Sequence, residues 1–279
     1  MKPHLLIAAL LTLSLHAAEP LFTSEGTDPT FAELLKSGAI KPGDRFSKGP
    51  VLGSKIKVNH PLLKKQTGKT GAIPKGIGLH TQASGGIKRK DFGNWTRWYQ
   101  EDGNTQIFRL FPGEQNIRSG AGKDGSAGRV EAYSNAITVV GGAWHEWEGV
   151  FTIIKPHQAN IFQLFHEGHL WAFHIRMTDD GNIYFASRIK TKGIPERITL
   201  ADHMTGKSLA LKVRGNGDQY EVFKKDPAAG KDWELVTKGN YTKAAENKIS
   251  FRWGMYSGSA KGSSIKHDAM LFVTGATYR

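Results

Sequence analysis

From residue 105 onward, apolar and polar positions alternate in short runs separated by glycine-rich turns, the pattern of half-buried β-strands. Strands are predicted over 105–111, 128–134, 136–140, 145–154, 160–166, 170–177, 182–189, 209–214, 219–224, 233–237, 248–256 and 265–273. Turn signals stand at Asp179-Asp180-Gly181-Asn182, Gly215-Asn216-Gly217-Asp218 and Pro227-Ala228-Ala229-Gly230. Helical periodicity occurs only near the start. There Asp28 can cap a short helix, Pro29 suits its first position, Phe31, Leu34 and Leu35 form an apolar face, and Gly38 can end it. Residues 41–93 are rich in Gly, Lys and Pro and read as loops and short strands over the main body. Many short strands with Gly-rich turns imply an all-β sandwich, jelly roll or barrel. The expected organisation is an extension over 19–94 on a core over 95–279, as one domain.

The first 18 residues read differently. Lys2 precedes an apolar run over 5–15, and His16-Ala17-Ala18 offers small residues for cleavage before Glu19. That is the pattern of a secretory signal peptide, so a secreted or periplasmic protein is expected, with no membrane association after cleavage. Losing Lys2 takes the formal net charge from +13 to +12. A protein this basic is suited to an acidic partner. Nucleic acid, an anionic membrane surface and an anionic polysaccharide all qualify by charge, and export argues against the first. The chain has no cysteine, which excludes disulfides, thiolate metal sites and cysteine catalysis.

Three strands carry candidate chemistry. In Phe251-Arg252-Trp253-Gly254-Met255-Tyr256, alternation puts Arg252, Gly254 and Tyr256 on one face and three apolar residues on the other. In Gly128-Arg129-Val130-Glu131-Ala132-Tyr133, Arg129, Glu131 and Tyr133 share a face; the carboxylate can fix the guanidinium while its other edge takes a ligand carboxylate. In 159–166, Gln163 and His166 interrupt an apolar strand. The amide can hydrogen-bond a neutralised carboxylate and the imidazole can accept a proton. Glu146 and Glu148 could instead mimic a hydrolase acid pair, and Trp95, Trp98 and Trp171 could stack on sugars or fill a core.

Taken in order, these segments resemble the jelly-roll polysaccharide lyases, the alginate-lyase type of family 7 and related glucuronan lyases. Arg129 and Glu131 match the family pattern Arg-Ser/Thr-Glu-Leu/Val-Arg, with Tyr133 in place of the second Arg. Gln163 to His166 is similar to Gln-Ile/Val-His with one residue more. Ser250 to Gly258 is similar to Tyr-Phe-Lys-Ala-Gly-x-Tyr-x-Gln, with Arg252 for Lys and Tyr256 in the Tyr position. The resemblance covers roughly Trp95 to the C-terminus and marks a divergent relative. It implies a β-jelly roll, a concanavalin-like sandwich of two curved antiparallel sheets, and β-elimination on a uronate polymer. Arg129 and Gln163, with His166, would neutralise the sugar carboxylate. Tyr256 would protonate the leaving oxygen, and could also take the C5 proton; otherwise His166 or His80 would be the base. Arg252, Arg109 and Arg118 would hold other carboxylates. No cofactor or metal is implied, since the arginines neutralise charge, and a monomer is expected. A β-bulge at Leu164-Phe165 would put His166 on the face of Gln163. The alternatives are a non-catalytic carbohydrate-binding module and a glycoside hydrolase.

Overall fold

Alternating β-branched and aromatic residues produce strands almost throughout the computed structural model, which describes residues 19–42, 49–60, 73–117, 128–166, 170–187, 197–230, 232–240, 248–257 and 265–279. The first 18 residues and Arg118 lie outside the described residues. The early strands are β1 (Phe22–Glu25), β2 (Lys55–Val58), β3 (Gly78–His80), β4 (Ile87–Lys88), β5 (Tyr99–Asp102) and β6 (Thr105–Leu110). The middle of the chain gives β7 (Arg129–Tyr133), β8 (Ile137–Thr138), β9 (His145–Lys155), β10 (Ala159–His166), β11 (Leu170–Met177) and β12 (Ile183–Ser187). Then come β13 (Arg197–Ala201), β14 (Ser208–Gly215), β15 (Gln219–Lys225), β16 (Glu234–Asn240), β17 (Lys248–Tyr256) and β18 (Ala269–Tyr278).

Two antiparallel sheets form a jelly roll. The front sheet runs β13-β12-β11-β10-β17-β7-β3-β4, with β8 also on β17; the back sheet runs β16-β15-β14-β9-β18-β6-β5. Their facing sides bury the apolar halves of the alternating strands. At the centre Trp147 packs 4.8 Å from Phe162 and 5.7 Å from Trp253 between ring centroids. Truncating a ring such as Phe251, fully buried here, costs about 3–5 kcal/mol.

Each turn signal is met by backbone geometry: Gly181, Gly217 and Gly230 all have positive φ. The predicted final strand is displaced, β18 starting at Ala269 and running on to Tyr278. The strand β13 was not predicted, although Ile198 and Leu200 alternate correctly; five residues at a sheet edge give little periodic signal.

The helix α1 (Phe31–Lys36) forms, but its cap is Thr30 and not Asp28. Thr30 accepts from the Glu33 N–H at 3.2 Å, and Glu33 closes the box by accepting from the Thr30 N–H at 2.7 Å. Gly38, at φ 74°, follows the last turn as expected. The N-terminal segment covers the back sheet, where Ile56 of β2 joins Ile107, Met270 and Phe272 in a second apolar cluster. Later in the same segment β3 and β4 extend the front sheet, so strands from before residue 95 belong to the sandwich itself.

Candidate active site

The open face of the front sheet is built by alternation and then assembled by register. In β17, Phe251, Trp253 and Met255 are fully buried, and Arg252 and Tyr256 stand on the other side. In β7, Val130 and Ala132 enter the core while Arg129, Glu131 and Tyr133 face outward. Cross-strand partners share a face. One row is therefore His174, Gln163, Arg252 and Tyr133. A second row is Tyr184, Arg176, Asn160, Tyr256 and Arg129. Between them Glu131 lies opposite Gly254, and His80 lies opposite Glu131.

Two irregularities make this arrangement possible. In β10 the register shifts between Asn160 and Phe162, and Ile161 and Phe162 are both fully buried. Two consecutive residues thus point inward, which puts Asn160 and Gln163 on the same face. In β17, Gly254 has φ 125°, and a Cβ there would meet the Val130 carbonyl oxygen at 2.5 Å. Only glycine fits this step without strain.

Glu131 organises the centre. It is 1% exposed, accepts a hydrogen bond from the Gln163 amide, and pairs with Arg129 Nε at 3.1 Å. The Arg129 guanidinium lies 4.1 Å from the Tyr256 ring centroid, and its backbone N–H donates to Gln82 Oε1 at 2.8 Å. Tyr133 folds back over Gly78, and its ring centroid lies 4.5 Å from that of His80. The Arg252 guanidinium sits 3.9 Å over the Phe165 ring. Burial lowers its pKa from the ordinary value, Glu131 opposes this, and Arg129 adds to the lowering. A hollow of about 300 Å³ beside it is lined by Tyr133, Asn135, Phe165, His166, Ser250 and Arg252.

The nine described arginines divide cleanly. Arg89, Arg97, Arg109, Arg129, Arg214 and Arg279 each have a carboxylate partner. Among the described residues Arg176, Arg197 and Arg252 have none, and all three stand on the open face. Nε of Arg129, Arg176 and Arg252 and Oδ1 of Asn160 are buried there without a hydrogen-bond partner among the described residues. Among the described residues no group of three or more His, Asp or Glu side chains is placed to hold a metal ion.

Most of the predicted set therefore comes together: Tyr256, Gln163, Arg129, Arg252, Glu131, Tyr133 and His80. Two members do not. From Gln163 to His166 the pairing of β10 with β17 is regular, so His166 lies opposite the core residue Ile249, on the other face from Gln163. It lines the hollow at the strand end and is 6% exposed. A register shift does occur between Leu164 and Phe165, but the extra residue, Ala172, belongs to β11. The residue two after Gln163, where the family pattern has histidine, is Phe165. The second correction is Arg109. Its strand belongs to the back sheet, and the side chain binds Asp28 at 3.0 Å and Ser54 Oγ at 2.9 Å beneath the N-terminal segment.

Asn160, Arg176, Tyr184 and Arg197 are open-face residues that reasoning from sequence missed, and His174 stands with them. Trp171 also belongs there, stacked on His174 with centroids 3.8 Å apart, whereas Trp95 and Trp98 fill the core. Glu146 and Glu148 lie in the back sheet, where Glu146 pairs with Arg214 and Arg279.

At the level of sequence, no protein-family model and no curated protein matches the chain. Solved structures do. An alginate lyase from Klebsiella pneumoniae superposes with a TM-score of 0.56 at 12% identity, covering 76% of this chain and 98% of that one. The chain has the jelly-roll fold of the family 7 alginate lyases. Alginate lyase A1-II′, a member of polysaccharide lyase family 7, superposes with a TM-score of 0.53 at 13% identity over 74% of this chain and 94% of its own. A variant of the same enzyme in complex with substrate matches with a TM-score of 0.53 at 11% identity, over 74% of this chain and 92% of that one. At these identities the shared property is the fold, and the open face of the front sheet carries this chain's own residues.

Proposed function

We propose that this protein is a polysaccharide lyase that cleaves a uronate-containing polymer by β-elimination. The observation that carries the reading is Glu131, buried beneath the face, holding Arg129 and Gln163 in fixed poses beside Tyr256. A uronate carboxylate resists loss of the neighbouring C5 proton because the resulting enolate accumulates negative charge. Arg129 and Gln163 bind that carboxylate and stabilise the charge as it develops. His80 takes the C5 proton; it stands opposite Glu131 on the same face, where His166 does not. The C5–H electron pair becomes the C4–C5 double bond, the bond from C4 to the glycosidic oxygen breaks, and Tyr256 protonates the departing oxygen. Arg252 holds a neighbouring carboxylate. The exported, basic character expected from the sequence fits such a substrate.

Incubation with alginate, glucuronan, ulvan and glycosaminoglycans tests the reading. A lyase yields an unsaturated uronate that absorbs in the ultraviolet, a hydrolase releases reducing ends without that chromophore, and a binding module yields neither. Absence of the chromophore on every polymer would sink the proposal. Turnover should also weaken as salt rises, because capture is between partly exposed charges.

A further inference from the structure

The catalytic centre uses only the middle of the open face. On the side of Tyr256 away from His80, the same row continues through Asn160 and Arg176 to Tyr184, one strand at a time. Arg197, on the edge strand β13, reaches back over Tyr184, its guanidinium 3.8 Å from the ring centroid. The Arg176 guanidinium lies 5.8 Å from the same ring. Two cations thus share one aromatic platform, and among the described residues neither has a carboxylate partner. Among the described residues Nε of Arg176 is buried without a hydrogen-bond partner, as is Oδ1 of Asn160. Two guanidinium groups on one ring, with no carboxylate partner among the described residues, concentrate positive charge there. Such an arrangement is understandable if an external anion completes it.

We infer that Arg176, Tyr184 and Arg197 form a second anion subsite, which binds the carboxylate of a uronate residue several units away from the bond that is cut. The inference rests on the lyase reading for the identity of the polymer. Distance sets how far away. Strands in a sheet lie about 4.8 Å apart, so Arg197, four strands from Tyr256, is roughly 19 Å from it. A pyranose residue advances its chain by about one strand spacing, so the platform lies about three to four sugars from Tyr256. Asn160 lies in the interval, its side-chain carbonyl oxygen buried without a hydrogen-bond partner among the described residues. Stacking of Arg197 on Tyr184 holds the guanidinium plane in place, so its outer edge is pre-oriented for a bidentate contact. The consequence is a length requirement: long chains reach both the centre and the platform, whereas a trisaccharide placed across the catalytic centre does not.

The test uses the full chain with Arg176→Gln and Arg197→Gln combined, in two backgrounds. With Tyr256→Phe, which removes turnover, affinity is measured for alginate, for glucuronan and for trisaccharides prepared from each. The dissociation constant for the preferred polymer should rise roughly tenfold, that for its trisaccharide should stay unchanged, and the salt dependence should become shallower. In the otherwise unaltered enzyme, kcat/KM should fall by a similar factor on polymer only, mainly through KM. Arg197→Lys, which keeps the charge and loses the planar stack, should recover part of the loss. Unchanged polymer affinity, or an equal loss for polymer and trisaccharide, would overturn the subsite. So would failure of the parent protein to bind either polymer. Failure of the lyase reading looks different: no unsaturated product forms, while the affinity comparison can still be made.

Discussion

Beneath the N-terminal segment, Arg97 and Arg109 are each only 2–3% exposed, and each meets a carboxylate, Glu114 for one and Asp28 for the other. Trp98 completes the first pair by donating its indole N–H to Glu114 at 2.7 Å. On the open face of the front sheet the same residue type is treated in another way. Arg252 is largely buried over Phe165, Arg176 and Arg197 flank Tyr184, and none of the three meets a carboxylate among the described residues. One region closes its charges internally and fastens the extension to the sandwich. The other leaves three cations without a carboxylate among the described residues, as the proposed binding of an anionic polymer requires. The partner, more than the residue type or its burial, separates the structural arginines from those proposed to bind.

The comparison can be broken in order of effect. Tyr256→Phe should lower turnover by about 10³-fold or more, with polymer affinity and melting temperature close to those of the parent. Retained activity would remove Tyr256 from the chemistry. Glu114→Gln should do the opposite: leaving Arg97 buried beside a neutral amide should cost about 3–5 kcal/mol of stability in denaturant unfolding, with kcat/KM of the folded protein unchanged. Arg109→Gln should destabilise by about 1–3 kcal/mol and leave the salt dependence of turnover untouched. A shallower salt dependence in that variant would return Arg109 to the substrate site.

The smallest effect bounds the pH range in which these tests can be compared. Burial holds the His157 imidazole below its ordinary value of 6.5, and the same is true of His60. Between the lowered folded value and 6.5 the unfolded chain binds a proton that the folded chain does not. Their contribution to stability is therefore complete above 6.5 and is lost as pH falls through that window. The melting temperature should fall as pH drops below about 6.5 towards the lowered folded values, and His157→Gln should flatten the change. A melting temperature indifferent to pH over this interval would show that burial does not govern these histidines.

Much of the front sheet was legible from alternation alone. The one-face sets of β7 and β17 follow directly from period two, as does the separation of Phe251, Trp253 and Met255 from Arg252 and Tyr256. The bulge in β10 was not legible: the spacing of Gln163 and His166 suggested one at Leu164-Phe165, yet Gln163 and His166 lie on opposite faces. Placing it at Leu164-Phe165 favours His166, whereas the observed bulge at Ile161-Phe162 favours Asn160. Either run is apolar, so nothing local distinguishes them. Arg109 illustrates the same limit: a strand's own pattern gives its two faces but not the sheet it joins.

The sequence by itself determined that this is an all-β chain, which residues share a face within each strand, and that its cations outnumber its carboxylates. Only the tertiary structure decided that His80 and not His166 joins Glu131, that Arg109 closes on Asp28, and that Arg176, Tyr184 and Arg197 continue the row from Tyr256. The physical reason is that alternation is a property of neighbouring residues and is written locally. Strand order, register and the bulge are set by packing between segments far apart in the chain, where a shift of one residue exchanges one face for the other.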